Sequence, residues 1–256
     1  MRKQERLVAI LEELRENGSI KSSELSRKFN ISEMTVWRDI AELEKAGVVR
    51  RYFGGAVDIK AGSHVESSIN ERVFENTRAK ELIAERAVGL LKENDRVFID
   101  SGSTCYAIAK KMTEIPFRLF CSTNTLNTAA ALCKNNEIRT IMIGGEMKGK
   151  AMCSIGPSAE SQLKGYNFSV SFIACNAIDE NGNVMILDIA ERGLKKSVID
   201  ISDHCYLVCD STKIFKTSMI EFSHISEFSG IIIDKDLDPK QKRILEQKGA
   251  IVLLAE

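Results

Sequence analysis

The chain has 256 residues with 36 Lys+Arg balanced by 36 Asp+Glu. With no net charge, it is neither a bulk polycation nor an acidic tail, and any contact with nucleic acid or an anion must come from local clusters. Length and a 44% hydrophobic content suggest two domains, because a winged helix needs only about 60 residues and the remainder can bury its own core. No stretch is long enough to span a bilayer.

The N-terminal run MRKQERLVAILEELRENGSI has apolar positions at helical spacing interrupted by acidic residues, so it is expected to be a first core helix and not a targeting signal. Ser22 then offers an N-cap, Leu25 and Phe29 a buried side, and Asn30 a helix end. Ile31 plugs the corner, Ser32 caps a second helix, and Val36, Ile40 and Leu43 recur on its inner face. The other face carries Glu33, Thr35, Trp37 and Arg38. A helix entering the major groove meets phosphates and base edges with its N-terminal residues.

After Ala46-Gly47, VVRRYFGGAV alternates apolar and basic residues and turns on Gly54-Gly55, the pattern of a two-stranded wing. The candidate DNA contacts are Ser22, Ser32, Thr35, Trp37, Arg38, Arg50, Arg51 and Tyr52. Arg38 and Thr35 lead for bases, Arg50 and Arg51 for the backbone. Trp37 suits a deoxyribose or thymine methyl, although a tryptophan in a small domain is more often a core or subunit contact. With Arg27 and Lys28 these residues concentrate basic charge in the small domain.

Residues 59–76 are polar and small at their start and are expected to be a linker. A helix follows from Thr77 to Lys92. Short apolar strands then alternate with helices: VFID, RLFCST, RTIMIGG, SVSFIAC, HCYLVCD, GIIID and AIVLLA. That alternation implies an α/β domain with a parallel, doubly wound sheet over 77–256, following a winged helix-turn-helix over 1–58.

Ligands of such sheets sit at the carboxyl ends of the strands. Asp100, Ser101, Gly102, Ser103 and Thr104 form a loop whose glycine, hydroxyls and helix-terminal amides suit a phosphate, or a simple helix cap. Thr123 and Asn124 suit sugar oxygens, while Lys150 after Gly144-Gly145 suits a phosphate or a solvated hairpin tip. Asp188, Glu191 and Lys195 form a further set, the last two at a spacing common in surface helix pairs. Asp210 and Lys213 close the series; they serve a sugar phosphate or each other.

Seven cysteines without a CxxC pair read as reduced, mostly buried residues of a cytosolic protein. Cys205 and Cys209 share a strand face about 13 Å apart, too far for a disulfide. The three histidines lack metal-ligand spacing, and no cofactor is expected.

The run SELSRKFNISEMTVWRDIAELEKAGVVRRYFGGAV closely resembles the N-terminal winged helix-turn-helix of the DeoR family of bacterial transcriptional regulators. ERVFENTRAKELIAERA, DRVFIDSGST, STNTLNTAAAL, IGGEMKGKAMCSIGP and CDSTK resemble successive blocks of that family's effector domain, so the likeness covers nearly the whole chain. The resemblance implies an effector domain of ribose-5-phosphate isomerase/CoA transferase type that senses phosphorylated sugars or related metabolites. It implies phosphate against Ser101 to Thr104, with Lys150 and Lys213 as counter-charges and Thr123-Asn124 toward the sugar.

This chain departs from the family pattern at Trp37, where a second basic residue is usual, and at Phe53, where histidine is frequent. It departs again at Lys150 for arginine, Asn176-Ala177 for Ser-Gly, and Met185-Ile186 for a hydroxyl-bearing pair. Together these features lead to a cytoplasmic, oligomeric (dimeric or tetrameric) DNA-binding regulator, a repressor of a carbohydrate operon controlled by a phosphorylated metabolite. The alternatives are a constitutive DNA-binding protein whose α/β domain only oligomerises, and a sugar-phosphate isomerase using Asp100, Glu191 or Asp210 as base.

Overall fold

The computed structural model describes residues 3–17, 19–45, 49–58, 69–73 and 75–256. The chain divides into two compact units, Met1–Val65 and Glu66–Glu256. The Ala46-Gly47 turn and the 59–68 part of the expected linker lie outside the described residues.

The first unit runs α1 (Lys3–Asn17), β1 (Ser19–Lys21), α2 (Ser22–Phe29), α3 (Glu33–Lys45), β2 (Val49–Tyr52) and β3 (Gly55–Asp58). Ile10 and Leu14 of α1 join Leu25, Val36, Ile40 and Leu43 in one core, as the helical spacing requires. Each such side chain contributes about 1.5–3 kcal/mol relative to exposure. Asn30 ends α2 in a left-handed conformation (φ 50°), which asparagine tolerates better than most residues. An ion pair adds to the apolar packing between α1 and α3: Arg6 Nε donates to Asp39 at 2.8 Å, with Asp39 only 2% exposed.

The wing is three-stranded, in the order β1-β3-β2 and antiparallel throughout. Gly55 is required where β3 crosses β1: an added Cβ would lie 1.8 Å from the Ile20 carbonyl oxygen. The Ser22 amide donates to the Gly54 carbonyl at 2.7 Å, pinning the wing turn to the start of α2.

The second unit continues with α4 (Ile69–Arg72), α5 (Thr77–Val88), β4 (Arg96–Ile99), α6 (Ser103–Met112), β5 (Leu119–Thr123), α7 (Leu126–Leu132), β6 (Ile138–Met142), β7 (Glu146–Lys148), β8 (Cys153–Ile155) and α8 (Pro157–Gln162). It ends with β9 (Phe168–Ala174), β10 (Ala177–Ile178), β11 (Asn183–Ile186), α9 (Arg192–Asp200), β12 (Ser202–Val208), β13 (Ile220–His224), β14 (Gly230–Asp234), α10 (Pro239–Gln247) and β15 (Val252–Ala255).

Seven strands form one parallel sheet, in the order β15-β14-β12-β9-β4-β5-β6. Apolar side chains bury both faces, one cluster built around Phe98, Phe168 and Ile231, the other around Ile99, Phe172 and Ile108. The chain builds outward from β4 through β5 and β6, then returns to place β9 on the other side of β4. The order therefore reverses between β4 and β9, where a doubly wound sheet opens a crevice at its carboxyl edge.

The wing gains β1 as a third strand beyond the expected two, and in the second unit three features differ from the sequence expectation. Residues 69–72 are helical, with Ile69 buried, so the second domain begins before Thr77. The helix expected to reach Lys92 stops at Val88, before Gly89. A small antiparallel sheet, β10-β11-β13, and a hairpin, β7-β8, flank the main sheet.

Candidate DNA interface and effector cleft

In the first unit α3 presents Ser32, Glu33, Met34 and Arg38 outward, opposite the buried Val36, Asp39, Ile40 and Leu43. Ser32 caps the helix: its Oγ accepts the Thr35 amide at 3.3 Å and lies 2.9 Å from Thr35 Oγ1. Arg38 extends beside Met34, its Nη2 3.9 Å from the sulfur, and among the described residues it makes no ion pair. Its guanidinium is thus available for a bidentate contact with guanine or with phosphate. Met34 is 67% exposed on the same face and was not among the expected contacts. The signal for it was present, since positions 34 and 38 share a helix face.

Several expected contacts are otherwise engaged. Ser22 is 3% exposed, stands as the first residue of α2 and not its cap, and donates to Glu33 at 3.3 Å; it joins the two helices. Trp37 is half-buried against the core. Tyr52 donates its hydroxyl to the Ile20 carbonyl at 3.0 Å, which braces the wing. Arg51 pairs with Glu44 and also donates its amide to that carboxylate, while Arg50 is exposed on β2. Phe53, at the wing turn, is 79% exposed.

In the second unit the carboxyl ends of β4, β9 and β12, neighbours in the sheet, open into a cleft of about 580 Å³ that includes open solvent. Its walls bring together the Ser101–Thr104 loop, Ala174–Asn176, Glu191, Lys195, Asp210 and Lys213, together with Arg72, Glu75 and Lys80. Gly102 stands at the N-cap of α6 with φ 119° and offers no side-chain cap, so the first amides of α6 keep the donors that an anion satisfies.

Below the cleft lies a buried ion cluster. Asp100 is fully buried, pairs with Lys195, and accepts the Ala174 amide at 3.0 Å. Lys195 also donates to the Ala174 carbonyl at 3.1 Å and lies 3.7 Å from Glu191. Burial opposes the Lys195 ammonium, but Asp100 and Glu191 outweigh it and raise the pKa above that of a free lysine. Breaking a buried pair of this kind typically costs about 3–5 kcal/mol. The cluster therefore holds the ends of β4 and β9 in place, and the Asp100 carboxylate is engaged inside it and does not line the cleft. Glu191 and Lys195 are likewise buried, not the surface pair that their spacing suggested.

The remaining expected effector residues lie elsewhere. Thr123 is fully buried and accepts the Thr125 amide; Asn124 donates to the Ser154 carbonyl at 3.0 Å. Both lock a loop and do not line the cleft. Lys150 is exposed in the turn between β7 and β8, and its backbone carbonyl receives the Ile69 amide. Lys148, two residues earlier, turns inward to Glu191 at 2.8 Å and Asp188 at 3.1 Å. Cys205 and Cys209 are free thiols, as are the other five cysteines.

Residues 6–61 match the DeoR-like helix-turn-helix domain, and residues 75–235 match the DeoR C terminal sensor domain. The chain belongs to the DeoR family. Its DeoR-family relatives include an L-fucose operon activator of Haemophilus influenzae, 31% identical over 96% of this chain and 97% of that one. A lactose phosphotransferase system repressor of Staphylococcus epidermidis is also 31% identical, over 94% of this chain and 96% of that one. About half the chain overlays on a ribose 5-phosphate isomerase A from Methanocaldococcus jannaschii, covering 55% of each chain at 15% identity and a TM-score of 0.42.

As a DeoR-family protein the chain is a DNA-binding transcriptional regulator with a sensor domain, and its cleft includes cations that the sequence did not single out. Lys80, 4% exposed, lies inside an ordinary amphipathic helix pattern, and Arg72 sits in the stretch taken for linker. Only the fold of α4 and α5 over the cleft brings them to it.

Proposed function

We propose that this regulator represses a carbohydrate operon and that a phosphorylated sugar or related metabolite, bound at the α6 N-terminus, relieves the repression. The observation that carries the reading is the uncapped first turn of α6, led by Gly102, opening into a cleft that also holds Lys80 and Lys213 at the switch point of the sheet. Helix-terminal amides with flanking ammonium groups are a phosphate site by chemistry. The operons in the relatives' names, fucose and lactose, support the carbohydrate class.

The carboxylates that an isomerase would use are committed to other partners. Asp100 is tied to Lys195, Glu191 to Lys148 and Lys195, and Asp210 to Asn76 and Thr212. This favours a binding site over a proton-transfer site. Two copies of α3 in a two-fold dimer would read repeated half-sites. A thermal-shift screen of phosphorylated sugars and polyol phosphates tests the proposal: a subset of phosphomonoesters raises the Tm while their unphosphorylated counterparts do not. No rise with any compound, or an equal rise without the phosphate, contradicts it.

A further inference from the structure

Residues 69–73 and 75–80 are tied to the rest of the second unit at two points and to themselves at a third. The Ile69 amide donates to the Lys150 carbonyl at 2.9 Å, and the Ile69 side chain is buried. Asn76, in a left-handed conformation (φ 46°), donates through Nδ2 to Asp210 at 3.1 Å and to Thr212 at 3.3 Å. Between them the Lys80 ammonium reaches back from the first turn of α5 to the carbonyls of Arg72 and Glu75. The Arg72 carbonyl also accepts the Glu75 amide at 3.2 Å, so the buried ammonium adds a second bond there and ties the end of α4 to the turn after it.

Arg72, Glu75 and Lys80 line the same cleft as Gly102 and Ser103. Ile69 is also the first described residue after 59–68, the stretch that leads from the DNA-binding unit. One end of the segment therefore adjoins the effector cleft and the other continues into the junction with the winged helix.

We infer that residues 69–73 and 75–80 act as a strap that reads occupancy of the cleft: an anion at the α6 N-terminus draws the Lys80 ammonium away from the Arg72 and Glu75 carbonyls, and the strap loosens. The inference rests on the reading of the cleft as the effector site. Phosphate competes for the ammonium because it carries a full opposite charge, whereas the Arg72 and Glu75 carbonyls offer only dipoles. The loosened strap changes the restraint on the chain entering the junction, which gives the two sites a shared two-state element.

The test is hydrogen-deuterium exchange of the full chain with and without millimolar inorganic phosphate, with Tm measured in parallel. The Val73 and Glu75 amides, bonded to the Ile69 and Arg72 carbonyls, report on the strap. Phosphate is expected to raise Tm while these amides exchange about tenfold faster. In Asn76→Ala the strap amides exchange fast without phosphate and phosphate adds little, although Tm still rises. A Tm rise in wild type with unchanged or slower strap exchange overturns the strap and leaves the cleft reading standing. No Tm rise and no change in exchange overturns both, the cleft reading failing on its own readout.

Discussion

Raising the pH from 7 to 9 is expected to weaken phosphomonoester binding to the cleft about tenfold through one group, Lys80. Burial is the largest influence on this lysine and pushes its pKa down to about 8; Asp210 and Glu75 pull upward, and Lys213 and Arg72 push it further down. With that pKa, roughly nine-tenths of the side chains carry charge at pH 7 and about one-tenth at pH 9. A bound phosphate favours the charged form and raises the pKa of the complex. Affinity is therefore full below pH 8 and is lost as pH rises through it, up to about 1.4 kcal/mol per unit. The second ionisation of a phosphomonoester, near pH 6, is complete by pH 7 and does not contribute. Isothermal titration calorimetry across this range measures the slope, and at pH 8 buffers of differing ionisation heat should reveal uptake of about half a proton. Lys80→Met should bind more weakly at pH 7 and show no slope. A flat wild-type profile, or an equal slope in Lys80→Met, refutes the assignment of Lys80 as an anion partner.

Other outcomes follow from the same geometry. Arg38→Ala should abolish specific operator binding in a gel-shift assay, with a loss of about 1–3 kcal/mol or more, while phosphomonoester binding is retained; tight specific binding by the variant removes Arg38 from the interface. Ser103→Asp places a carboxylate at the uncapped end of α6 and should block the response to phosphomonoesters without weakening DNA affinity; a normal response reduces that loop to a helix start. Gly55→Ala forces a methyl group onto the Ile20 carbonyl, so the β1-β3 pairing must shift at a cost of about 1–3 kcal/mol. An unchanged Tm for that variant contradicts the close approach.

The winged helix and the parallel sheet were readable because their periodicities are long and mutually consistent. Val36, Ile40 and Leu43 mark one helix face, and the repeated strand-helix alternation has few solutions other than a doubly wound sheet. The crevice was readable as a place, since strand ends and glycine loops announce it. Its membership was readable in part: the Ser101–Thr104 loop, Glu191, Lys195 and Lys213 line it, whereas Asp100, Thr123, Asn124 and Lys150 do not. Thr123 and Asn124 follow a strand into a helix as Asp100 and Ser101 do, yet they lie one strand away from the reversal and are consumed by the Ser154 and Thr125 contacts.

Distance along the chain hid the rest. The Asp100–Lys195 pair spans 95 residues, so the i,i+4 neighbour Glu191 suggested a surface pair where a buried cluster exists. Lys80 and Arg72 acquire their meaning from the return of α4 and α5 across the strand ends, which no local pattern encodes. The small sheet β10-β11-β13 was missed for a different reason: strands of two to five residues carry too little alternation to register.

The central claim is that an anion in the cleft controls DNA affinity. The most direct measurement is the affinity of the full chain for its selected operator, with and without the phosphomonoester that most raises Tm, at fixed salt. Roughly 5- to 150-fold weaker DNA binding in its presence, abolished in Ser103→Asp, is the predicted result. Identical affinity with and without a saturating compound contradicts the account.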